Sequence, residues 1–71
     1  MTLDQYREAC GWSKSELSRA SGISIRSVQR AILGETITSN TANKLALAVS
    51  KQLGRSIRYQ DIEGLNITAN S

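Results

Sequence analysis

Three polar side chains that could carry recognition chemistry, Arg26, Gln29 and Arg30, fall in one segment of the chain that is predicted to be helical. At about 100° per residue, they project from one side of that helix. The apolar residues of the segment lie on its other side: Val28, Ala31 and Ile32. A guanidinium can donate two hydrogen bonds to O6 and N7 of guanine. The pattern therefore indicates either a surface that contacts nucleic-acid bases or a face of solvated charges.

The elements that must position these side chains are short helices separated by glycines. A glycine ends a helix at little cost because it adopts the left-handed backbone conformation, and a Ser or Thr side chain caps the next helix. The predicted helices run over about Leu3 to Cys10, Ser13 to Gly22, Ser24 to Leu33 and Thr41 to Leu53, with a short fifth helix near Tyr59 to Glu63.

The start of the second helix carries the clearest local signal. Ser13 and Glu16 have the spacing of a capping box, in which each side chain bonds the backbone amide of the other residue. Trp12 and Leu17 have the spacing of a hydrophobic staple, which is a more common role for a single aromatic residue than base stacking. These two devices set both the first residue of the helix and the angle at which the chain enters it.

A very short turn joins the second and third helices. Gly22 can end the second helix, and Ser24 can cap the third only two residues later. Helices joined by so short a turn must cross steeply. The segment from Ser13 to Gly34 is thus predicted to be two crossed helices, of which the second exposes Arg26 and Arg30.

Length and composition limit the remaining possibilities. The 71 residues, 39% of them apolar, are enough for one small domain, which we predict to span residues 1–65 with a flexible tail at 66–71. With no His and one Cys, the chain cannot form the usual zinc sites or a disulfide framework, so we expect no metal and no cofactor. Cys10 fits a buried structural thiol better than a redox sensor. No paired carboxylates or glycine-rich phosphate loop indicate an enzyme.

The net charge of +3 and the pI near 9.5 suit a polyanionic partner, although an ordinary soluble surface would also account for so small an excess. No apolar run reaches the roughly 18 residues of a membrane helix, and the first residues do not have the pattern of a signal peptide. We therefore expect a cytoplasmic protein without a membrane partner or a small-molecule ligand.

Residues 13–34, SKSELSRASGISIRSVQRAILG, resemble the helix-turn-helix of lambda-repressor-like (Cro/cI-type) regulators. The resemblance rests on the apolar residues Leu17, Ile23 and Val28 and on the turn residue Gly22, and the predicted flanking helices extend it over most of the chain. It implies an all-α, compact five-helix domain. The sequence departs from the family pattern at Ser18, Ser21 and Ala31, whose small side chains leave little apolar contact surface between the two helices.

The resemblance also implies roles for individual residues. The residues on the base-reading side are Ile25, Arg26, Gln29 and Arg30. Ile25 could pack on a thymine methyl group or could instead belong to the core. The residues implied to contact the DNA backbone are Ser13, Lys14, Ser15, Ser24, Ser27, Thr38, Ser39 and Asn40. Thr38, Ser39 and Asn40 could equally do no more than cap the fourth helix.

One recognition helix of about ten residues is roughly 15 Å long and covers about four or five base pairs. The resemblance therefore implies a homodimer on double-stranded DNA, with its helices one turn of DNA apart. Candidate dimer contacts are Leu33 and Ile37, with Leu65 and Ile67 as alternatives. The predicted function is a transcriptional regulator that acts as a repressor, and the short chain fits a phage or mobile-element regulator. The alternative is an antitoxin or adaptor that uses the same fold to bind a partner protein.

Overall fold

The computed structural model describes residues 1–68 of the chain. Its elements, in chain order, are α1 (Leu3–Ala9), α2 (Lys14–Ser21), α3 (Ile25–Ile32), β1 (Thr36–Ile37), α4 (Ser39–Leu53), a single 3-10 turn (Tyr59–Asp61) and β2 (Asn66–Ile67). Residues 1–68 thus contain four α-helices and one short two-stranded sheet. The fold is mostly helical.

Side-chain caps set the first residue of each helix. The Thr2 and Ser13 hydroxyls accept from the amide three residues later, and Gln5 and Glu16 complete the two capping boxes that precede α1 and α2. Ser24 caps α3 and Thr38 caps α4 in the same way, without the reciprocal bond. Each cap satisfies a backbone N–H that the helix itself leaves unpaired. The capping box predicted at Ser13 and Glu16 is confirmed.

The turn between α2 and α3 depends on Gly22, whose φ of 75° places it in the left-handed region. Its amide donates to the Ser18 carbonyl, which ends α2, and the Ser18 hydroxyl in turn donates to the Ile23 carbonyl at 2.5 Å. A second hydroxyl, that of Ser21, donates to the Leu17 carbonyl at 2.7 Å. The two serines that depart from the family pattern therefore bond backbone carbonyls at the crossing of the two helices.

One apolar core holds the helices together. Its largest fully buried side chains come from α1, α2, α3 and α4: Leu3, Leu17, Val28, Leu45 and Val49. Trp12 is half-buried against this cluster, as its predicted staple position requires, and Cys10 is buried within it. Burial raises the pKa of the Cys10 thiol, which keeps it protonated and agrees with a structural role.

The predicted fifth helix is wrong. The segment forms only one 3-10 turn, Tyr59–Asp61, because the Asp61 carboxylate bonds back to the Arg58 amide at 3.1 Å and Ile62 then takes an extended backbone. Ile57 and Ile62 are buried from either side of this turn. The apolar spacing that had indicated a helix instead reflects two core contacts made by an extended segment.

The first residues of the predicted C-terminal tail, 66–68, bond to another part of the chain. Asn66 and Ile67 form β2, which pairs in parallel with Thr36 and Ile37 of β1, and the Thr68 amide donates to the Ile37 carbonyl at 2.9 Å. No local pattern predicts this pairing, because the strands have two residues each and lie 30 positions apart. Residues 66–68 are thus ordered against β1, and the rest of the predicted tail, 69–71, lies outside the described residues.

Candidate nucleic-acid interface

The exposed side of α3 is polar and carries two of the arginines of the chain. Arg26, Gln29 and Arg30 are all exposed on it, while Val28 and Ala31 on the opposite side are buried. A shallow groove of about 510 Å³ lies along this side, lined by Arg26, Gln29, Arg30, Leu33 and Glu35. The core thus anchors α3 by one face and leaves the other free to contact a ligand.

Ile25 lies at the first turn of the same helix and is 42% exposed. This exposure excludes the alternative that Ile25 is a core residue. An exposed β-branched side chain beside the polar side of a helix is costly to hydrate unless something covers it. Its position is compatible with contact to an apolar group of a ligand.

The two arginines differ in how they are held. Arg26 makes no ion pair or side-chain hydrogen bond within residues 1–68. Arg30 donates from Nη2 to the Thr36 carbonyl at 3.1 Å, and its Nε lies 3.8 Å from the Glu35 carboxylate. Arg30 is therefore oriented in advance, whereas Arg26 is free to move.

The N-terminus of α2 exposes Lys14 and Ser15 beside the capping residue Ser13. The Ser13 hydroxyl already accepts from the Glu16 amide, so it serves the helix itself. The Ser13 backbone amide, its hydroxyl and the charge of Arg19 lower the pKa of the Glu16 carboxyl. Lys14 makes no ion pair among residues 1–68, which leaves its ammonium available to an anion.

A second polar cleft, of about 310 Å³, lies between α3 and the start of α4. Besides Arg30 and Ile37, it is lined by hydroxyl side chains: Ser27, Thr36, Thr38, Thr41 and Thr68. The Thr38 hydroxyl accepts from the Thr41 amide at 3.2 Å and so caps α4, and the Ser24 hydroxyl accepts from the Ser27 amide at 3.2 Å and caps α3. Thr38 and Ser24 thus have a capping role whether or not they also meet a ligand. Ser39 and Asn40 form the first turn of α4.

The candidate dimer residues are not equivalent. Ile37 is 6% exposed and belongs to the core, which corrects the expectation that it lies outside the core. Its side chain points inward because β1 pairs with β2 at this residue. Leu65 and Ile67 are half-buried against the same core, whereas Leu33 is 74% exposed. Leu33 is therefore the member of this set with the most apolar surface to offer a partner.

The charges of the described residues are distributed unevenly. Every acidic side chain lies within ion-pair distance of a cation or, at Glu16, bonds the Ser13 amide. The cations that make no ion pair within residues 1–68 are Lys14, Arg19, Arg26, Lys44, Lys51 and Arg55. The excess positive charge is thus free to meet an external anion, and Lys14 and Arg26 place part of it on α2 and α3.

The comparison with protein families identifies this arrangement. The family model described as helix-turn-helix matches residues 3–60, which include α1 to α4 and the first two residues of the 3-10 turn. The chain belongs to the lambda-repressor-like helix-turn-helix family. This is a family of DNA-binding regulators rather than of enzymes. No curated protein and no solved structure matches the chain.

In this helix-turn-helix domain, α2 and α3 are the two helices of the motif, and α3 is the second of them. None of the helices described within residues 1–68 is long and apolar enough to cross a membrane. The match ends at residue 60, so β2 lies beyond the part that the family model covers, whereas its partner β1 lies within that part.

Sequence reasoning missed the residues that hold Arg30. Leu33 and Gly34 end α3 in a Schellman motif, in which the Glu35 amide donates to the Arg30 carbonyl at 2.9 Å and the Gly34 amide to the Ala31 carbonyl at 3.2 Å. This motif brings Glu35 beside Arg30. The signal was present in the sequence, because a glycine just after a helix predicts that geometry. The contact of Asn66 with the same turn had no such signal.

Proposed function

We propose that this domain is a sequence-specific double-stranded DNA-binding transcription regulator that places α3 in the major groove. We further propose that it is a repressor, which excludes other proteins from the promoter site it occupies. The observation that supports the proposal best is the exposed polar side of α3, with Arg26 and Arg30 one turn apart on a helix whose other side is buried. An α-helix fits the major groove, where each base pair presents a distinct pattern of donors and acceptors.

The residues assigned to the bases are Ile25, Arg26, Gln29 and Arg30. Each arginine can form a bidentate contact with guanine, and Gln29 can form one with adenine. Ile25 supplies an exposed apolar group at the first turn, which suits a thymine methyl. Because Arg26 and Arg30 are four positions apart on α3, they reach different base pairs of one half-site.

The residues assigned to the phosphates form two groups. In the first group, the N-terminus of α2 presents Lys14 and Ser15 together with the positive end of the helix dipole. In the second group, Ser27 and Thr38 line the hydroxyl-rich cleft between α3 and the start of α4. The remaining members of the assigned set are Ser13, Ser24, Ser39 and Asn40. Contacts of this kind fix the position of the protein on DNA without reading its sequence.

We also propose that the domain binds as a homodimer. The eight residues of α3 are about 12 Å long and cover roughly three or four base pairs, which is too few for a selective site. A two-fold-symmetric pair of recognition helices doubles that length and requires half-sites about 34 Å apart, or one DNA turn. The exposed Leu33 at the end of α3 is our leading candidate for the dimer contact, with Leu65 and Ile67 next to the core as secondary candidates.

Selection of bound sites from a random duplex pool tests the function directly. We expect the selected sequences to converge on an inverted repeat with half-sites one helical turn apart. Two protein molecules should occupy each selected duplex at saturation. Failure to enrich any sequence would contradict the base-reading assignment, and enrichment of a single half-site with one bound protein would contradict the homodimer.

Lys14→Ala is expected to weaken binding to all duplexes by a similar factor. The free ammonium of Lys14 is assigned to a phosphate, and a phosphate contact carries no base information. Its loss should reduce the slope of log K against log salt by about one unit. The measurement is a salt titration of affinity for the selected site and for an unrelated duplex.

Lys51→Ala provides the matched control, because Lys51 is another exposed lysine that makes no ion pair within residues 1–68 and lies near the far end of α4. It should leave the salt slope nearly unchanged. An altered sequence preference in Lys14→Ala, with the parent salt slope retained, would show that Lys14 does not contact a phosphate.

A further inference from the structure

The turn after α3, from Gly34 to Thr36, holds the Arg30 side chain. Arg30 donates from Nη2 to the Thr36 carbonyl, which lies two residues beyond the left-handed Gly34. Nη1 of the same guanidinium has no hydrogen-bond partner among residues 1–68. The guanidinium is thus held by the hydrogen bond at Nη2 and by the ion pair of Nε with Glu35, while Nη1 keeps its donors for a ligand. Its orientation depends on where the turn places the Thr36 carbonyl.

The C-terminal segment holds this turn in place. The Asn66 side-chain amide donates to the Gly34 carbonyl, across 32 positions of sequence. Asn66 also pairs with Thr36 in the parallel ladder. Asn66 therefore contacts the turn on both sides of Glu35, the residue that forms the ion pair with Arg30.

We propose that Asn66 is a positioning residue for base recognition: by holding the turn from Gly34 to Thr36, it fixes the Arg30 guanidinium and sharpens the preference for one base pair. This inference rests on the proposed function, in which Arg30 reads a base. It extends the recognition surface to a segment beyond the residues that match the family, 3–60.

The physical reason is preorganisation. A free arginine side chain samples many rotamers, and ordering it on binding opposes the gain from a bidentate contact. A guanidinium that is already held loses less freedom when it meets a base. It also tolerates a wrong base less well, since it cannot move to find another acceptor. Loss of the Asn66 amide donor should therefore reduce discrimination at the Arg30 base pair and leave the other base pairs unaffected.

A double-mutant cycle on the full chain tests the proposal. The base pair read by Arg30 is first defined as the one at which Arg30→Ala relaxes the preference. Asn66→Ala is then expected to reduce discrimination at that base pair by about threefold to tenfold, the effect of one hydrogen bond. In the Arg30→Ala background it should have no further effect there, because its action passes through Arg30.

Two further variants separate the missing donor from other changes. Asn66→Asp has nearly the same shape but cannot donate and adds a negative charge, so it should reduce discrimination at the Arg30 base pair at least as much as Asn66→Ala. Asn43→Ala removes an exposed amide that makes no side-chain hydrogen bond within residues 1–68 and should leave every preference unchanged. Melting temperatures of all variants show how much of each effect comes from stability.

In the free protein, nuclear magnetic resonance relaxation of the Arg30 Nε–H group gives a readout that does not depend on DNA. Asn66→Ala should lower its order parameter, and Asn43→Ala should not.

An unchanged order parameter of Arg30 in Asn66→Ala would overturn the proposal. An equal loss of discrimination at all base pairs in Asn66→Ala would also overturn it, and so would the same loss when Asn66→Ala is added to Arg30→Ala. If Arg30→Ala itself relaxes no base pair, the base-reading function of Arg30 fails and this proposal fails with it. If Arg30→Ala relaxes one base pair and Asn66→Ala does not, the positioning role alone fails.

Discussion

Arg26→Ala and Arg30→Ala are each expected to relax discrimination at one base pair of every half-site, and at a different one in the two variants. Each removes a proposed bidentate contact with guanine, which is worth about 1 to 3 kcal/mol, or a factor of roughly five to a hundred and fifty. Because a symmetric site contains two half-sites, the dimer loses this discrimination free energy once in each half-site. The measurement is the affinity for the selected site and for its single-base variants at constant salt.

Arg55→Ala is the matched control for charge. Arg55 is an exposed arginine that makes no ion pair within residues 1–68, and it follows α4 rather than lying on α3. Its removal should leave the base preference intact and the melting temperature close to that of the parent. The assignment of α3 as the reader would be wrong if Arg26→Ala and Arg30→Ala kept the full parent preference. It would also be wrong if the two arginine variants melted at a lower temperature and this loss of stability alone explained their weaker base preference.

Leu17→Ala is expected to leave much of the protein unfolded. Leu17 is fully buried where α2 meets the core, and truncation of a buried leucine to alanine costs about 2 to 5 kcal/mol through lost transfer free energy and the cavity that remains. A single core in a chain of this size rarely supplies more than roughly 3 to 5 kcal/mol of net stability. The loss is therefore comparable with the whole free energy of unfolding. Urea titration followed by circular dichroism measures it.

Leu47→Ala makes the same chemical change on the solvent side of α4, where the leucine is exposed. Its free energy of unfolding should stay within about 0.5 kcal/mol of that of the parent. If both leucine variants lost similar stability, the packing of α2 against the core would not be as described. Leu17→Ala should also lose DNA affinity in proportion to its unfolded fraction, since no residue assigned to DNA is changed.

The helices could be predicted from the sequence because their signals are local. The capping box of Ser13 and Glu16 and the turn at Gly22 and Ser24 act within three or four residues, so pattern and spacing are enough to locate them. The orientation of α3 followed from the apolar side that includes Val28. The proposed base-contacting residues were identified in the same way, since the side opposite Val28 must face outward.

The contacts that could not be predicted join distant positions. Nothing in the two-residue segments Thr36–Ile37 and Asn66–Ile67 distinguishes them from loop, because their pairing depends on where α4 returns the chain. Ile37 was expected at a dimer surface for the same reason, although it lies in the core. The 3-10 turn at Tyr59–Asp61 was expected as a full helix because core contacts on either side of an extended segment can imitate helical spacing.

The parallel pairing of β1 with β2 has a consequence for the timescales on which parts of this domain open. The bonds of the C-terminal segment close long loops: the Glu63 amide bonds the Met1 carbonyl, and the Thr68 amide bonds the Ile37 carbonyl, both at 2.9 Å. Such closures carry an entropic cost and involve few buried groups, so this segment should open by itself, more often than the helices unfold. Each opening would release the turn after α3 while α3 stays folded. The residence time on DNA could therefore change through substitutions near Asn66 that leave global stability untouched.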